Sequence, residues 1–216
     1  MTLDGPRHPP VAGAGLARIV LLLHGYGADG DDLIGLAPAW APTMPDTLFV
    51  APHAPFPCEG APSGRQWFGI YGRDDAMRLA GLRAAAAIVD GLIDDLLAET
   101  SLPPAALTLA GFSQGTMLAL HVGPRRAERL AGILGYSGRL LAPELLGEEV
   151  QSRPPVALIH GERDDLVPYA SMAEAAAALE RAGFTVETQG RPGLGHGIDP
   201  AGIQAGLAFM TQLPGQ

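Results

Sequence analysis

The chain has 216 residues, 47% of them hydrophobic and 17% charged, a size and composition that suit one domain burying roughly 70–75% of its unfolded surface. Fourteen Lys and Arg against 23 Asp and Glu give a formal charge of −9, which argues against nucleic acid or an anionic membrane surface as a partner. The lone cysteine, Cys58, has no internal disulfide partner and fits a reducing compartment.

In chain order, residues 1–15 read as a tail or edge segment of a single 1–216 domain. Asp4 and three prolines stand where the apolar region of a signal peptide would be, so a cytoplasmic protein is expected. The first apolar run, Ile19–Leu23, is too short to span a bilayer, and stable membrane insertion is not expected. Strands are predicted at Ala17–Leu23 and Thr47–Ala51, followed by a long Pro/Gly-rich loop from Pro52 to Gly64. A helix is predicted from about Met77 to Glu99, because Leu79, Leu82, Ala86, Val89, Ile93 and Leu96 step by threes and fours.

Further strands are expected at Leu107–Ala110, Gly132–Tyr136 and Val156–His160. Thr185–Thr188 is the weakest and suits an edge. Ser171-Met172-Ala173-Glu174 has the spacing of a capping box, with Gly183 as the stop of that helix. Asp199-Pro200 marks the start of a last helix that runs through Phe209. Strands alternating with helices imply an α/β fold with a mostly parallel central sheet and helices on both faces.

Gly111-Phe112-Ser113-Gln114-Gly115 follows a predicted strand and opens a predicted helix, the context of a nucleophile elbow. A hydroxyl needs an imidazole to take its proton and a carboxylate to hold that imidazole. Both follow in order, each just past a later strand: Asp164, with Asp165 as its rival, and then His196 between two glycines. An aspartate there is also a common turn or cap residue. The other histidines read as structural: His8 in the tail, His53 in the Pro-rich loop, His121 within a helix, His160 at a strand end, and His24 bonding locally to fix a glycine turn.

Gly25, Gly27 and Gly30 satisfy the dinucleotide-binding pattern after the first strand, so a nucleotide-dependent oxidoreductase is an alternative. Asp29, Asp31 and Asp32 would crowd a pyrophosphate, however, and no acid follows the next strand to hold a ribose. The better reading is an oxyanion loop, with the backbone N–H groups of Tyr26 and Gln114 facing the developing charge. Asp29-Gly30-Asp31-Asp32 also resembles part of a calcium loop but lacks the distal glutamate. No metal and no cofactor is expected.

Leu22-Leu23-His24-Gly25-Tyr26-Gly27-Ala28-Asp29, Pro52-His53-Ala54-Pro55, Trp67-Phe68, the Ser113 pentapeptide, His160-Gly161 with Asp164 and Val167-Pro168, and Gly195-His196 occur in that order. Over roughly residues 16 to 210 this set resembles the carboxylesterase/phospholipase family of small α/β-hydrolases, which includes the acyl-protein thioesterases. The resemblance implies cleavage of carboxylic esters or thioesters through an acyl-enzyme, with Ser113 as nucleophile, His196 as base and Asp164 rather than Asp165 as its partner. It also implies an oxyanion hole from the amides of Tyr26 and Gln114. The family's usual second glycine and small residue after the elbow are replaced by Thr116 and Met117, and Gly197 after the histidine is less usual. These departures bear on acyl preference.

Hydrolases of this fold that carry a lid insert it near the segment Ser137–Pro155, here nineteen residues, so an open site without a large lid is expected. Trp67, Ile70, Tyr71, Leu166 and Leu194 are candidates for an acyl channel, with ordinary core packing the alternative for each. The partner is then a small ester or an acylated substrate, a homodimer being left open. A non-catalytic binding module on the same fold is a third alternative, against which the full set of reactive residues argues.

Overall fold

The structure, a computed structural model, describes residues 3–72 and 74–213. The elements are β1 (Arg7–His8), β2 (Arg18–Leu23), α1 (Gly30–Leu33), α2 (Ala37–Trp40), β3 (Thr47–Val50), β4 (Phe56–Pro57), β5 (Arg65–Gln66) and α3 (Asp75–Thr100). After these come β6 (Leu107–Phe112), α4 (Gln114–Arg125), β7 (Gly132–Tyr136), α5 (Leu146–Glu149), β8 (Val156–Gly161), α6 (Ala170–Arg181), β9 (Val186–Arg191) and α7 (Pro200–Gln212).

One seven-stranded sheet runs in the order β1-β3-β2-β6-β7-β8-β9, and β4 and β5 form a separate small ribbon. From β3 to β9 all pairings are parallel, while β1 joins the edge antiparallel through Arg7 opposite Val50 and His8 opposite Phe49. Nothing in the polar pair Arg7-His8 marks a strand; it pairs because β3 leaves an edge open. The predicted strands sit in the sheet with ends displaced by at most three residues, Gly132–Tyr136 matching at both, and β9 is the opposite edge.

Successive residues of β2 point to opposite faces, and both faces are buried. Ile19, Leu21 and Leu23 join one apolar cluster with Leu82, Val89 and Ile93 of α3 and with residues of α4 and α6. Val20 and Leu22 join the other, with Trp40 of α2 and Phe209 of α7. Each such aliphatic side chain stabilises the fold by about 1.5–3 kcal/mol relative to exposure. On α3 the buried stripe is Leu82, Ala85, Val89, Leu92, Ile93 and Leu96, so Leu79 and Ala86 fall at its margin.

Helix ends follow their caps. Asp74 accepts from the amide of Met77 and starts α3 two residues earlier than the apolar stepping indicates. Asp199 accepts from the amide of Gly202 and starts α7, as expected. The capping box at Ser171 does not form. A turn in which the amide of Ser171 donates to the Pro168 carbonyl leads directly into α6, which places Ser171 inside the helix and buried. Gly183, with φ +86, stands just beyond the end of α6. Among the described residues no helix is long and apolar enough to cross a membrane.

Candidate functional site

The loops that leave the carboxyl ends of β2, β6, β8 and β9 gather on one rim of the sheet, where α/β folds place their chemistry. Ser113 is the first residue after β6 and stands at φ 53 and ψ −112, a strained conformation for a residue with a side chain. Its amide donates to the Tyr136 carbonyl at 2.8 Å. The turn needs glycine on both sides: a Cβ on Gly115 would collide with the Leu23 carbonyl, and one on Gly111 with the backbone of Gly115. Strand, elbow and helix are packed backbone on backbone, which leaves the serine facing out.

The carboxylate lies one loop further along the sheet. The Asp164 side chain is 0% exposed, its Oδ1 accepting from the amides of Val167 (2.8 Å) and Leu166 (3.0 Å). Its Oδ2 lies 2.8 Å from His196 Nδ1 and 3.2 Å from His160 Nε2. Burial alone would push this carboxyl up, but the bond from His196 and the two backbone amides outweigh it and hold it below its ordinary value. Asp165, the rival acid, is exposed.

Backbone contacts also fix the two loops to each other. The amide of Arg163 donates to the Leu194 carbonyl at 2.9 Å, and that of Glu162 to the Arg191 carbonyl at 3.1 Å. Arg191 and Asp199 close the base of the His196 loop, with Arg191 Nη2 3.0 Å from Asp199 Oδ2. The imidazole also rests against the Phe112 ring, centroids 4.9 Å apart.

His160 enters this network although its strand-end position marks it only as structural. Its Nε2 faces two acceptors, the Val167 carbonyl at 2.9 Å and the Asp164 carboxylate, so this nitrogen carries the hydrogen. The signal in the sequence is its spacing of four residues from Asp164 at a turn.

The glycine loop after β2 is held in place from both sides. His24 is fully buried; its Nδ1 donates to the Gly25 carbonyl at 2.8 Å, and its Nε2 accepts from the amide of Ala54 at 2.9 Å. Burial holds this histidine below its ordinary value, which keeps it neutral. The loop is tied on its other side by the amide of Gly27, which donates to the Arg65 carbonyl at 2.9 Å. The buried Gln114 side chain grips the same region, its Oε1 accepting from the amide of Trp67 and its Nε2 donating to the Phe68 carbonyl.

No nucleotide cradle forms at these glycines. Asp29 caps the four-residue α1 with its own carboxylate, and the amide of Gly30 donates to His53 Nδ1 at 3.1 Å. Asp29, Asp31 and His53 come within 4.8 Å of one another, but the amides of Asp32 and Gly30 already occupy Asp29 and His53.

Ser113, Gln114, Tyr26 and His196 line one cavity of about 550 Å³ together with Ile70, Tyr71 and Leu166. Two expected wall residues lie elsewhere. Trp67 is 0% exposed beneath the glycine loop, where its Nε1 donates to the His24 carbonyl at 2.9 Å. Leu194 is not among the residues that line the cavity, and its carbonyl accepts from the amide of Arg163. The wall also includes Phe68, Phe112, Met117, Leu141, Val167, Pro168 and the cations Arg78 and Arg139. Of the departures at the elbow, Met117 reaches the cavity. Thr116 is buried beneath it, its hydroxyl 2.7 Å from the Gly111 carbonyl and 2.8 Å from that of Tyr136. Gly197 places its carbonyl 3.4 Å from Ser137 Oγ.

Comparisons with known proteins bear on the family and the fold. The family model described as phospholipase/carboxylesterase matches residues 13–213. Acyl-protein thioesterase 1 of Gibberella zeae is 29% identical over 213 residues, 90% of each chain. Esterase YpfH of Escherichia coli is 30% identical over 194 residues, 89% of this chain and 82% of that one. The crystal structure of esterase PE8 superposes with a TM-score of 0.94 at 43% identity, covering 99% of this chain and 100% of the other.

Proposed function

The chain belongs to the phospholipase/carboxylesterase family, and on that premise we propose that Ser113, His196 and Asp164 are its catalytic triad. The protein is a serine hydrolase of carboxylic esters or thioesters. In the proposed cycle Ser113 Oγ attacks the substrate carbonyl while His196 Nε2 accepts its proton. The Asp164 carboxylate, held by two amides, keeps Nδ1 protonated and stabilises the imidazolium as it forms. The amides of Tyr26 and Gln114 receive the developing oxyanion. His196 then returns the proton to the leaving alcohol or thiol, and water, activated by the same imidazole, releases the acid from Ser113.

His160 serves as a positioning residue, since its Nε2–H steadies the carboxylate oxygen that faces His196. The observation that carries the reading is the 2.8 Å contact of His196 Nδ1 with a fully buried carboxylate, on the wall of the cavity that Ser113 enters from a strained turn. Ile70, Tyr71 and Leu166 are assigned to the acyl wall. With only the short helix α5 in the segment after β7, we read the site as open to a bulky leaving group, a lipid head or an S-acylated protein, as well as to small esters. The buried free Cys58 supports a reducing compartment, and the cytoplasm is our assignment.

The test is labelling with a fluorophosphonate probe and turnover of p-nitrophenyl butyrate. Ser113→Ala is expected to abolish labelling and lower kcat by roughly 10⁶-fold. Near-native turnover by that variant overturns the assignment.

A further inference from the structure

We propose that Arg78 and Arg139 form an anion subsite in the Ser113 cavity, so that the preferred ester carries a carboxylate or phosphate away from the bond that is cut. The inference rests on the serine-hydrolase reading above.

Away from Ser113, Gln114, His196 and the two tyrosines, the wall of this cavity is otherwise apolar, with Phe68, Ile70, Met117 and Leu141 among its side chains. Among the described residues that line it there is no Asp or Glu, although acids outnumber bases in the chain and its net charge is −9. The two cations come from separate elements. Arg78 lies in the first turn of α3, and Arg139 follows the β7 strand end. The backbone before Arg139 is pinned to the elbow. Tyr136 accepts from the amide of Ser113 at 2.8 Å, and the amide of Ser137 donates to the Ile159 carbonyl at 2.9 Å. Ser137 itself has φ 47, a left-handed turn that directs the chain outward at Arg139.

Neither guanidinium is neutralised by a buried partner. Arg78 pairs with Asp75 at 3.0 Å, but that carboxylate is 98% exposed and screened by water. Among the described residues Arg139 has no carboxylate partner within ion-pair distance. Both arginines and Leu141 also line an adjoining cavity of about 500 Å³, whose remaining wall carries Asp75, Glu144 and Glu174. An anionic group that enters from Ser113 therefore meets two cations first and a field of carboxylates beyond them. The position of lowest energy is between the arginines, whose planar forks suit the oxygens of a carboxylate or a phosphate.

The experiment compares two matched pairs of esters. On the acyl side, monoethyl adipate is set against ethyl hexanoate. On the leaving-group side, 1-hexanoylglycerol 3-phosphate is set against 1-hexanoylglycerol. The readout is the ratio of kcat/KM, charged over neutral, which cancels any general loss in a variant. The wild-type enzyme is expected to favour the charged member of at least one pair, and the pair that responds identifies which side of the ester bears the anion. Arg78→Gln/Arg139→Gln should lower that ratio about tenfold, the scale of one charge-assisted bond. Arg139→Lys should retain part of it. Arg139→Glu, at an exposed position, should lower it further and carries the test alone if the double variant folds poorly. A ratio unmoved by these substitutions in both pairs overturns the anion subsite while leaving the esterase intact. An enzyme inert toward all four esters overturns the hydrolase reading and the subsite with it.

Discussion

Beneath Ser113 the chain packs backbone against backbone, whereas around the mouth of the same cavity it offers side chains to solvent. The floor consists of Gly111, Gly115, Gln114, His24, Trp67 and Asp164, all buried, with the polar groups among them hydrogen-bonded. The wall includes Tyr71 and Leu166, 63% and 71% exposed. A floor made of contacts with no spare room holds reacting groups to within fractions of an ångström, as acyl transfer requires. A wall made of exposed side chains can be altered without disturbing that geometry. Chemistry and substrate choice are thus carried by different kinds of contact, and substitutions should separate them.

After loss of the nucleophile itself, the largest effect expected belongs to the floor's charge. Asp164→Asn keeps the shape but favours the wrong imidazole tautomer, and kcat should fall about 10⁴-fold. Asp165→Asn, on an exposed neighbour, should change it little. Equal losses in p-nitrophenyl butyrate turnover would leave the acid unassigned. His160→Asn removes the bond on the far side of the same oxygen and should lower kcat by roughly 10–100-fold with KM little altered.

Next comes the backbone closeness itself. Gly115→Ala forces a methyl group into the Leu23 carbonyl, and no flexible side chain is there to yield. A destabilisation of about 4 kcal/mol is expected, read from the midpoint of urea unfolding. A variant of native stability would show that strand and elbow can separate, and the distinction between floor and wall would lose its basis.

A third probe lies within the elbow helix, α4. His121 is 4% exposed and its Nδ1 has no partner; burial, and then the charge of Arg125, lower its pKa to about 4. The folded chain keeps this histidine neutral, while the unfolded chain takes up a proton near 6.5, the ordinary value. Its contribution is therefore complete above pH 6.5 and is lost as pH falls toward about 4. The loss is on the order of 3 kcal/mol. His121→Gln should flatten the pH dependence of unfolding by that amount between pH 7 and 4.

The floor was legible in the sequence because glycine spacing and strand hydrophobicity are local statements about backbone. Gly111 and Gly115 around Ser113 have one sensible geometry, and the unbroken apolar run Ile19–Leu23 states burial on both faces of β2. The wall was not legible, since an apolar residue near a motif reads the same whether it faces core or cavity. Trp67 and Tyr71, four positions apart, end at 0% and 63% exposure because one closes under the glycine loop after β2 and the other rims the opening. Arg78 reads as a solvated charge on α3, and only the packing of β7 against the elbow brings Arg139 near it. The failed cap at Ser171 has a similar cause: the turn from Pro168 to Ser171 continues straight into α6, which leaves the serine no helix end to cap.

The smallest effect is the most discriminating, because one residue belongs to both regions. Leu166 gives its amide to Asp164 Oδ1 at 3.0 Å and its side chain to the cavity wall. Leu166→Ala removes only the side chain, so stability should stay within about 0.5 kcal/mol, as for other exposed positions. What should change is the response to acyl length. Each methylene that reaches the lost surface forgoes contact, and kcat/KM should fall about three- to tenfold for an octanoyl ester and progressively less for butyryl and acetyl esters. A loss equal at all three lengths would mean that the substitution acts through the amide on Asp164. Leu166 would then belong to the floor, and the boundary between chemistry and substrate choice would have to be drawn outside it.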